Sequence, residues 1–368
     1  MSRGLRIALI EPFLGGSHAS WARGYAAKSS HQITIIGQSG AHWKWRMHGG
    51  AITCSKAANI LNCRPDVFLC SDMLDAAVFR SLLRSEWRNV PLAVYFHENQ
   101  LTYPWKEGTE SKAHDRHYAF INYTSALSAD AVFFNSNYHR TVFLEALPGF
   151  LKAFPDDRNE QSIADIAVKS TVLPVGIDLQ RFDPFLDQNV PTGKPLILWN
   201  HRHEHDKNPE AFFQLLFSLD AEGIDFALAV AGESFADRPP IFDVAKEKLR
   251  HRIVHWGYCS TFEEYARLLS ARPVLPVTSM QEFFGIAVAE AIHCGARAIL
   301  PNRLSYPGLF GALADFYSTD QDLFEKTKQA LIKPLLQSPG RLSGFDWAEM
   351  APVYDRVLSD MAGIRIEQ

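Results

Sequence analysis

Short apolar and β-branched runs alternate with amphipathic segments of helix length along this chain, stop, and start again, and that double rhythm leaves few folds open. A strand that is apolar along its whole length must be covered on both faces, and a helix after each strand supplies the cover, so the pattern builds a parallel sheet from βαβ units. In the first half the predicted strands are Leu5–Ile10, Gln32–Ile36, Asp66–Cys70, Leu92–Phe96, Ala131–Phe134 and Thr171–Val175. Helices are predicted at His18–Lys28, Leu74–Arg84, His114–Ser128 and Tyr138–Leu147. The stretch Asp178 to Pro195 holds three prolines and little periodicity, which marks a linker between domains. Beyond it, strands are predicted at Leu196–Trp199, Phe226–Ala231, Ile253–Trp256, Val274–Pro276 and Arg297–Leu300. The matching helices are Pro209–Glu222, Ile241–Arg250, Phe262–Ala271 and Ile286–Cys294. The expected architecture is α/β, two Rossmann-like doubly wound domains facing a central cleft, with a ligand beyond the carboxyl ends of the strands.

Bulk properties narrow the class. A chain of 368 residues exceeds what one hydrophobic core organises, so two domains are expected, over 1–187 and 188–345, with 346–368 as a terminal helix packing back on the first. With 47% hydrophobic and 21% charged residues, the composition is that of a globular protein, and no apolar run is long enough to span a bilayer. Leu5 to Ile10 is too short, and too soon followed by Glu11, to serve as a signal peptide, so a cytoplasmic location is expected. Cys54, Cys63, Cys70, Cys259 and Cys294 lack paired spacing, which argues against a disulfide framework or a zinc ribbon. A net charge of −4 excludes an ordinary polybasic nucleic-acid binder.

Four polar clusters follow predicted strands, where ligands bind in such folds. In Glu282-Phe283-Phe284-Gly285, followed by Ile286 and Glu290 on a helix, the backbone amides of residues 283–286 would meet an anion at the positive end of the helix. Glu290, about one turn in, could accept ribose hydroxyls, and Glu282 would lie nearer a sugar. An ordinary surface helix is the competing reading. In Asn200-His201-Arg202-His203-Glu204-His205-Asp206-Lys207, Arg202 and Lys207 could neutralise two phosphates. The alternating histidines could instead bind zinc if they lay on a strand. Gly15-Gly16-Ser17-His18 forms a loop through which backbone can approach a ligand, or a tight structural turn. His97-Glu98-Asn99-Gln100 places four polar side chains at the end of an apolar strand, with Asn99 alternatively a cap; Tyr103-Pro104-Trp105 follow. Trp43, Lys44 and Arg46 mix aromatic and cationic groups that could meet a base, and Gly257, between Trp256 and Tyr258, could line a base pocket.

Together these motifs resemble the retaining glycosyltransferases of family four, which have the GT-B fold. Within that group, His97-Glu98-Asn99-Gln100, the run from His201 to Lys207, His255-Trp256-Gly257-Tyr258 and Glu282-Phe283-Phe284-Gly285 resemble the tRNA-queuosine mannosyltransferase family, and the likeness runs from Ile10-Glu11 to Phe345-Asp346-Trp347-Ala348. The resemblance implies an acceptor-side first domain, a nucleotide-sugar-binding second domain, GDP-mannose as donor, and queuosine in the anticodon loop of an aspartate tRNA as acceptor. It implies no cofactor and no metal. His97, Glu282, Arg202 and Lys207 are then the candidate catalytic residues. Gly15, Gly16, Ser17, Arg202, Lys207, Gly257, Phe283, Phe284, Gly285, Ile286 and Glu290 would bind donor, and His18, Trp43, Lys44, Arg46, Glu98, Asn99 and Gln100 would face the acceptor. A basic surface of Lys44, Arg46, Lys106, Lys112 and Arg116 could dock the anticodon loop. The chain lacks the long polar insertion before Leu196–Trp199 that larger relatives carry, which leaves another sugar or acceptor open. Rival readings are a sugar-nucleotide epimerase, a glycan phosphorylase, and a non-catalytic binder of RNA or nucleotide sugar.

Overall fold

The computed structural model describes residues 4–103, 112–186, 193–234, 238–333, 338–340 and 342–363. The chain divides into two compact units, one of Met1–Asp178 with Gly344–Gln368 and one of Leu179–Ser343. Unit 1 runs β1 (Arg6–Leu14), α1 (Gly16–Lys28), β2 (Gln32–Ser39), α2 (Trp43–Asn59), β3 (Val67–Ser71), α3 (Ala76–Leu82), β4 (Leu92–Phe96), α4 (Lys112–Ser128), β5 (Ala131–Phe134), α5 (Asn137–Leu151), α6 (Ser162–Val168) and β6 (Ser170–Val172). Unit 2 runs β7 (Leu196–Trp199), α7 (Pro209–Ala221), β8 (Ala227–Ala231), α8 (Ile241–Lys248), β9 (Ile253–Gly257), α9 (Phe262–Ser270), β10 (Val274–Pro276), α10 (Ile286–His293), β11 (Arg297–Pro301), α11 (Tyr306–Phe310), β12 (Asp315–Tyr317) and α12 (Asp320–Ile332). A last helix, α13 (Trp347–Met361), returns to unit 1.

Each unit holds a six-stranded sheet, ordered β2-β1-β3-β4-β5-β6 and β12-β11-β10-β7-β8-β9, and every pairing is parallel. Strands β3 and β4 are buried at every residue, as a sheet covered on both faces requires. The strand order reverses between β1 and β3 in one sheet and between β7 and β10 in the other. At such a switch point the flanking helices leave on opposite faces and a crevice opens beyond the carboxyl ends.

Helix α13 is held to unit 1 by fit and by hydrogen bonds. The Trp347 indole occupies the space a side chain would need at Gly24 and Gly176, where an added Cβ would come within 2.0 Å and 2.3 Å of the ring. Asp355 accepts from the Tyr25 hydroxyl (2.9 Å), the Ser29 hydroxyl (2.6 Å) and the Ser30 amide (2.7 Å), so its burial leaves no unmet charge.

The structure also contains elements that periodicity misses, namely α2, α6, α11, α12 and β12. Helix α2 carries Gly49 and Gly50, which weaken local helix preference, and a Cβ at Gly50 would come within 2.8 Å of Pro12. Close packing on β1 therefore imposes a helix that propensity does not. The expected linker is also partly structured: residues Gln180–Phe185 form a 3₁₀ turn, and the fully buried Phe182 ring lies 5.0 Å from that of Phe262. Among the described residues no helix is long and apolar enough to cross a membrane.

Candidate active site

In unit 2 the loops after β7 and β10, which flank the switch point, are tied together. Thr278 donates its hydroxyl to the carbonyls of Lys207 and Asn208 (both 2.9 Å), and the Met280 amide donates to the Asp206 carbonyl (2.8 Å). The chain can make this connection because Asn208 adopts a left-handed backbone (φ 51°) and then caps α7 through the Ala211 amide. The Lys207 ammonium is buried beneath the two loops. It donates to Glu282 Oε2 (3.3 Å) and the Gln281 carbonyl (3.2 Å) and pairs with Asp206 Oδ2 (2.9 Å). Burial opposes the charge, and Glu282 and Asp206 more than offset it, so the Lys207 pKa lies above the ordinary lysine range.

Gly285 opens α10 with φ 92°, and an added Cβ would come within 3.2 Å of the Tyr306 ring, so glycine is required there on two counts. No acidic side chain occupies the first turn of α10, while the Phe283 and Phe284 side chains are buried. One turn on, the buried Glu290 accepts from Arg181 Nη2 (2.6 Å) and from the Tyr265 hydroxyl (2.8 Å). The structure thus joins Lys207 to Glu282 and places Glu290 on the helix that Gly285 opens. Arg202 is more than half exposed, and its guanidinium pairs with Glu204 at 3.0 Å.

The zinc alternative for the histidines of this loop does not survive. His203 stacks on Phe242 at 4.1 Å, and the His201 carbonyl accepts from the Trp199 indole (2.8 Å). Residues His205–Lys207 form a 3₁₀ turn, so the three imidazoles do not alternate along a strand. Burial, then Lys207, pushes the His201 pKa down to about 4, and burial, then Arg238, does the same to His203.

In unit 1 the loops after β1, β3 and β4 bring together a denser set of titratable groups. Glu11, wholly buried on β1, accepts the Phe13 amide on Oε1 (3.0 Å) and faces His18 Nδ1 from Oε2 (2.9 Å). The His18 and His97 rings lie 4.3 Å apart, and the edge of Trp21 meets His97 at 4.6 Å. His97 is clamped through its backbone: its amide donates to Asp72 Oδ1 (2.9 Å) and its carbonyl accepts from Asn135 (2.8 Å). Asn122 of α4 braces the same loops, donating to the Asp72 carbonyl (3.1 Å) and accepting the Gln100 amide (2.8 Å). Burial lowers the His18 pKa, but Glu11, helped by Asp72 and Glu98, carries it up to about 9. Burial pushes Asp72 up to about 8 against the pull of His18. His97 is held well below the ordinary imidazole value by burial, then by His18 and His139.

Glu11, His18 and His97 each offer a ligand atom within 4.8 Å of the others. In this structure Glu11 Oε2 faces His18 Nδ1 at 2.9 Å, so the first two of these groups are joined directly to one another.

Other expected residues have local roles. Asn99 is buried and accepts the Leu101 and Thr102 amides (both 3.0 Å), a turn-forming use of its carbonyl, while Gln100 donates to Glu98 (3.1 Å). Gly15 lets its loop pass the next one, since a Cβ there would come within 2.7 Å of Gly40, and Gly16 has φ 51° at the start of α1, just before the exposed Ser17. Trp43 packs on Tyr118 at 5.3 Å, Lys44 lies 5.6 Å over the Trp43 ring, and Arg46 donates to the Ser39 hydroxyl (3.0 Å). Gly257 ends β9 with φ 117°, and Tyr258 is exposed. Pro104, Trp105, Lys106 and the Lys112 side chain lie outside the described residues.

Sequence reading passes over Glu11, Asp72, Asn122, Arg181 and Tyr265. Glu11 and Asp72 end or follow apolar strands as lone acids, and Arg181 lies in the expected linker. A polar residue at the carboxyl end of a parallel strand is the available signal for the first two.

The sheet orders define a fold class that the comparisons support. Residues 183–337 match the family described as glycosyl transferases group 1, and residues 6–177 match the tRNA-queuosine alpha-mannosyltransferase N-terminal family. A UDP-forming alpha,alpha-trehalose-phosphate synthase from Burkholderia xenovorans has the same fold, with TM-score 0.63 and 13% identity over 98% of this chain and 99% of that one. Sucrose-phosphate synthase from Thermosynechococcus elongatus gives 0.60 and 14% over 98% and 95%. The protein is a GT-B glycosyltransferase. It is 33% identical over 332 residues to the tRNA-queuosine alpha-mannosyltransferase of Drosophila melanogaster, 87% of this chain and 85% of that protein. The chain therefore belongs to the tRNA-queuosine alpha-mannosyltransferase family.

Proposed function

We propose that this enzyme transfers mannose from GDP-mannose to queuosine in the anticodon loop of an aspartate tRNA, in the cytoplasm, with retention at the anomeric carbon and without a metal ion. The observation that carries the donor half is the pairing of buried Lys207 with half-buried Glu282 beside the Gly285 opening of α10, with Glu290 one turn further on. A buried ammonium and the main-chain amides of a helix opening suit a diphosphate whose charge grows as it leaves. Arg202, which pairs with Glu204 at the surface, supplies a second cation by exchanging partners. Glu282 holds Lys207 in this structure; on donor binding it turns to a sugar hydroxyl, and the ammonium N–H it frees donates to a phosphate oxygen instead. Glu290 exchanges Arg181 or Tyr265 for ribose hydroxyls.

Unit 1 supplies the groups for the sugar and acceptor. His97 presents an imidazole with its Nε2 buried and unpartnered, suited to a hydroxyl. In retention by front-face attack, the acceptor hydroxyl enters on the side from which diphosphate leaves and gives its proton to a phosphate oxygen. The protein's work is then orientation and charge stabilisation. The test is incubation of the purified protein with queuosine-containing tRNA and GDP-mannose in the presence of chelator, followed by nucleoside mass spectrometry. A hexose-sized gain on queuosine is expected. No gain with GDP-mannose but gain with UDP-sugars would overturn the donor assignment, and a strict requirement for added metal would overturn the metal-independent reading.

A further inference from the structure

Two imidazoles share one site, His18 buried and His97 half-buried, and one of them has a carboxylate. Both oxygens of Glu11 are engaged, one by the Phe13 amide at 3.0 Å and the other by His18 Nδ1 at 2.9 Å. Strand β1 therefore sets the orientation of a ring carried by α1. His97 is built the opposite way, fixed through its backbone by Asp72 and Asn135, with Nε2 buried and without a hydrogen-bond partner. Two cationic rings 4.3 Å apart in a buried site repel strongly, so at most one of them is protonated on both nitrogens at neutral pH. We propose that Glu11 is a positioning residue that decides which ring is charged: by binding His18 Nδ1 it keeps His18 a fixed cation and leaves His97 the neutral imidazole that meets a hydroxyl.

The groups around the pair favour this division. His18 faces Glu11 from β1, Asp72 from the loop after β3 and Glu98 from the loop after β4, with Phe13 and Trp21 as neighbours of the pair. His97 faces His18 and, from α5, His139, while Asp72 meets it at its backbone amide and Tyr95 packs at 4.8 Å. Three carboxyls thus surround one ring, and two imidazoles flank the other. Of the three, Glu11 meets the ring directly, at 2.9 Å, and raises its proton affinity most, ahead of Asp72 and Glu98.

The assignment of His97 to a sugar or acceptor hydroxyl rests on the proposed function; the division of charge does not. The direct test is titration of the histidine ring nitrogens by NMR in the full chain, in wild type and in Glu11→Gln. In wild type, His18 should hold its proton through neutral pH and lose it near pH 9, with His97 neutral throughout. In Glu11→Gln, the His18 titration should fall into the acid range while that of His97 rises, the two moving in opposite directions. An ordinary His18 titration in wild type, or no movement of either ring in the variant, overturns the proposal. Should Glu11→Gln not fold, His18→Gln removes the cation while keeping the carboxylate, and the His97 titration must rise; an unmoved His97 again overturns it. The kinetic arm is separate. Glu11→Gln should lower kcat by about 10–100-fold with little change in the KM for GDP-mannose, and bring the alkaline limb of the kcat profile to lower pH. Titrations that move as expected in a protein that transfers nothing to queuosine would sink the substrate assignment and leave Glu11 in its role.

Discussion

The two units solve the same topological problem with opposite electrostatics. Each gathers its polar groups beyond the carboxyl ends of strands at a switch point. In unit 2 the buried charges of the site stand beside their opposites, Lys207 against Asp206 and Glu282, and Glu290 against Arg181. In unit 1 one opposed pair, Glu11 and His18, stands among groups of like kind, with Asp72 and Glu98 adding carboxyls near Glu11 and His97 adding an imidazole beside His18. Opposed charges make a site that holds a charged ligand by exchanging partners. Crowded like groups make a site whose protonation states are pushed apart, which suits hydroxyl recognition and proton bookkeeping. Changes in unit 2 should therefore be felt first in donor binding and leaving-group stabilisation, and changes in unit 1 in turnover and pH dependence.

The most severe test of that contrast is Lys207→Ala. It removes the buried cation from Asp206 and Glu282, so transfer should fall by about 10³-fold or more, and stability by about 3–5 kcal/mol because two carboxylates lose their partner. Denaturant unfolding and single-turnover transfer measure the two effects. Adding Glu282→Gln to Lys207→Met should recover much of the stability and none of the activity, and recovery of both would show that the pair is structural. Next in size, His97→Ala should lower kcat about 100-fold while leaving the affinity for GDP, measured by calorimetry, unchanged. A comparable loss of GDP affinity would erase the division of labour between the units. Glu290→Ala should have the converse signature, with the KM for donor raised about tenfold to 100-fold and kcat least affected. The smallest effect is a pH dependence of stability. His18 binds its proton more tightly in the folded chain, with pKa about 9, than in the unfolded chain at about 6.5. The folded state then holds more protons across that window, so this contribution is complete below the unfolded value and is lost as pH rises through the folded one. Asp72, at about 8 when folded, acts in the same direction as the pH rises from acid. Thermal unfolding should therefore show the Tm falling from about pH 6.5 to 9, and falling less steeply in His18→Gln.

Much of the proposed donor site could be read along the sequence because its residues are local. Gly285, Glu290 and Glu282 lie on one short strand-to-helix connection, and Lys207 ends the run that follows β7. The proposed acceptor side could be read only in parts. His18 and His97 stand in segments that follow strands, but their partners Glu11 and Asp72 carry no motif of their own. Asn99 and Gly15 stood out in the sequence, and in the structure their backbone geometry accounts for them: one closes a turn, and the other lets two loops cross. Arg181 looked like part of a linker because a 3₁₀ turn has no apolar period to detect.

What the sequence by itself determined is the double α/β rhythm and most of its strands. Apolar periodicity is a local property, and polar residues just past a buried strand must answer to something other than packing. What only the tertiary structure decided is which of those polar residues meet. His18 meets His97, and Asp72 reaches the His97 backbone, because parallel pairing sets β1, β3 and β4 side by side in register, and Glu290 meets Arg181 because the buried Phe182 docks its turn on α9. Helix α2 likewise exists by contact with β1 rather than by preference. The pKa of a buried group depends on distances between segments far apart in the chain, and a linear pattern carries no such distances.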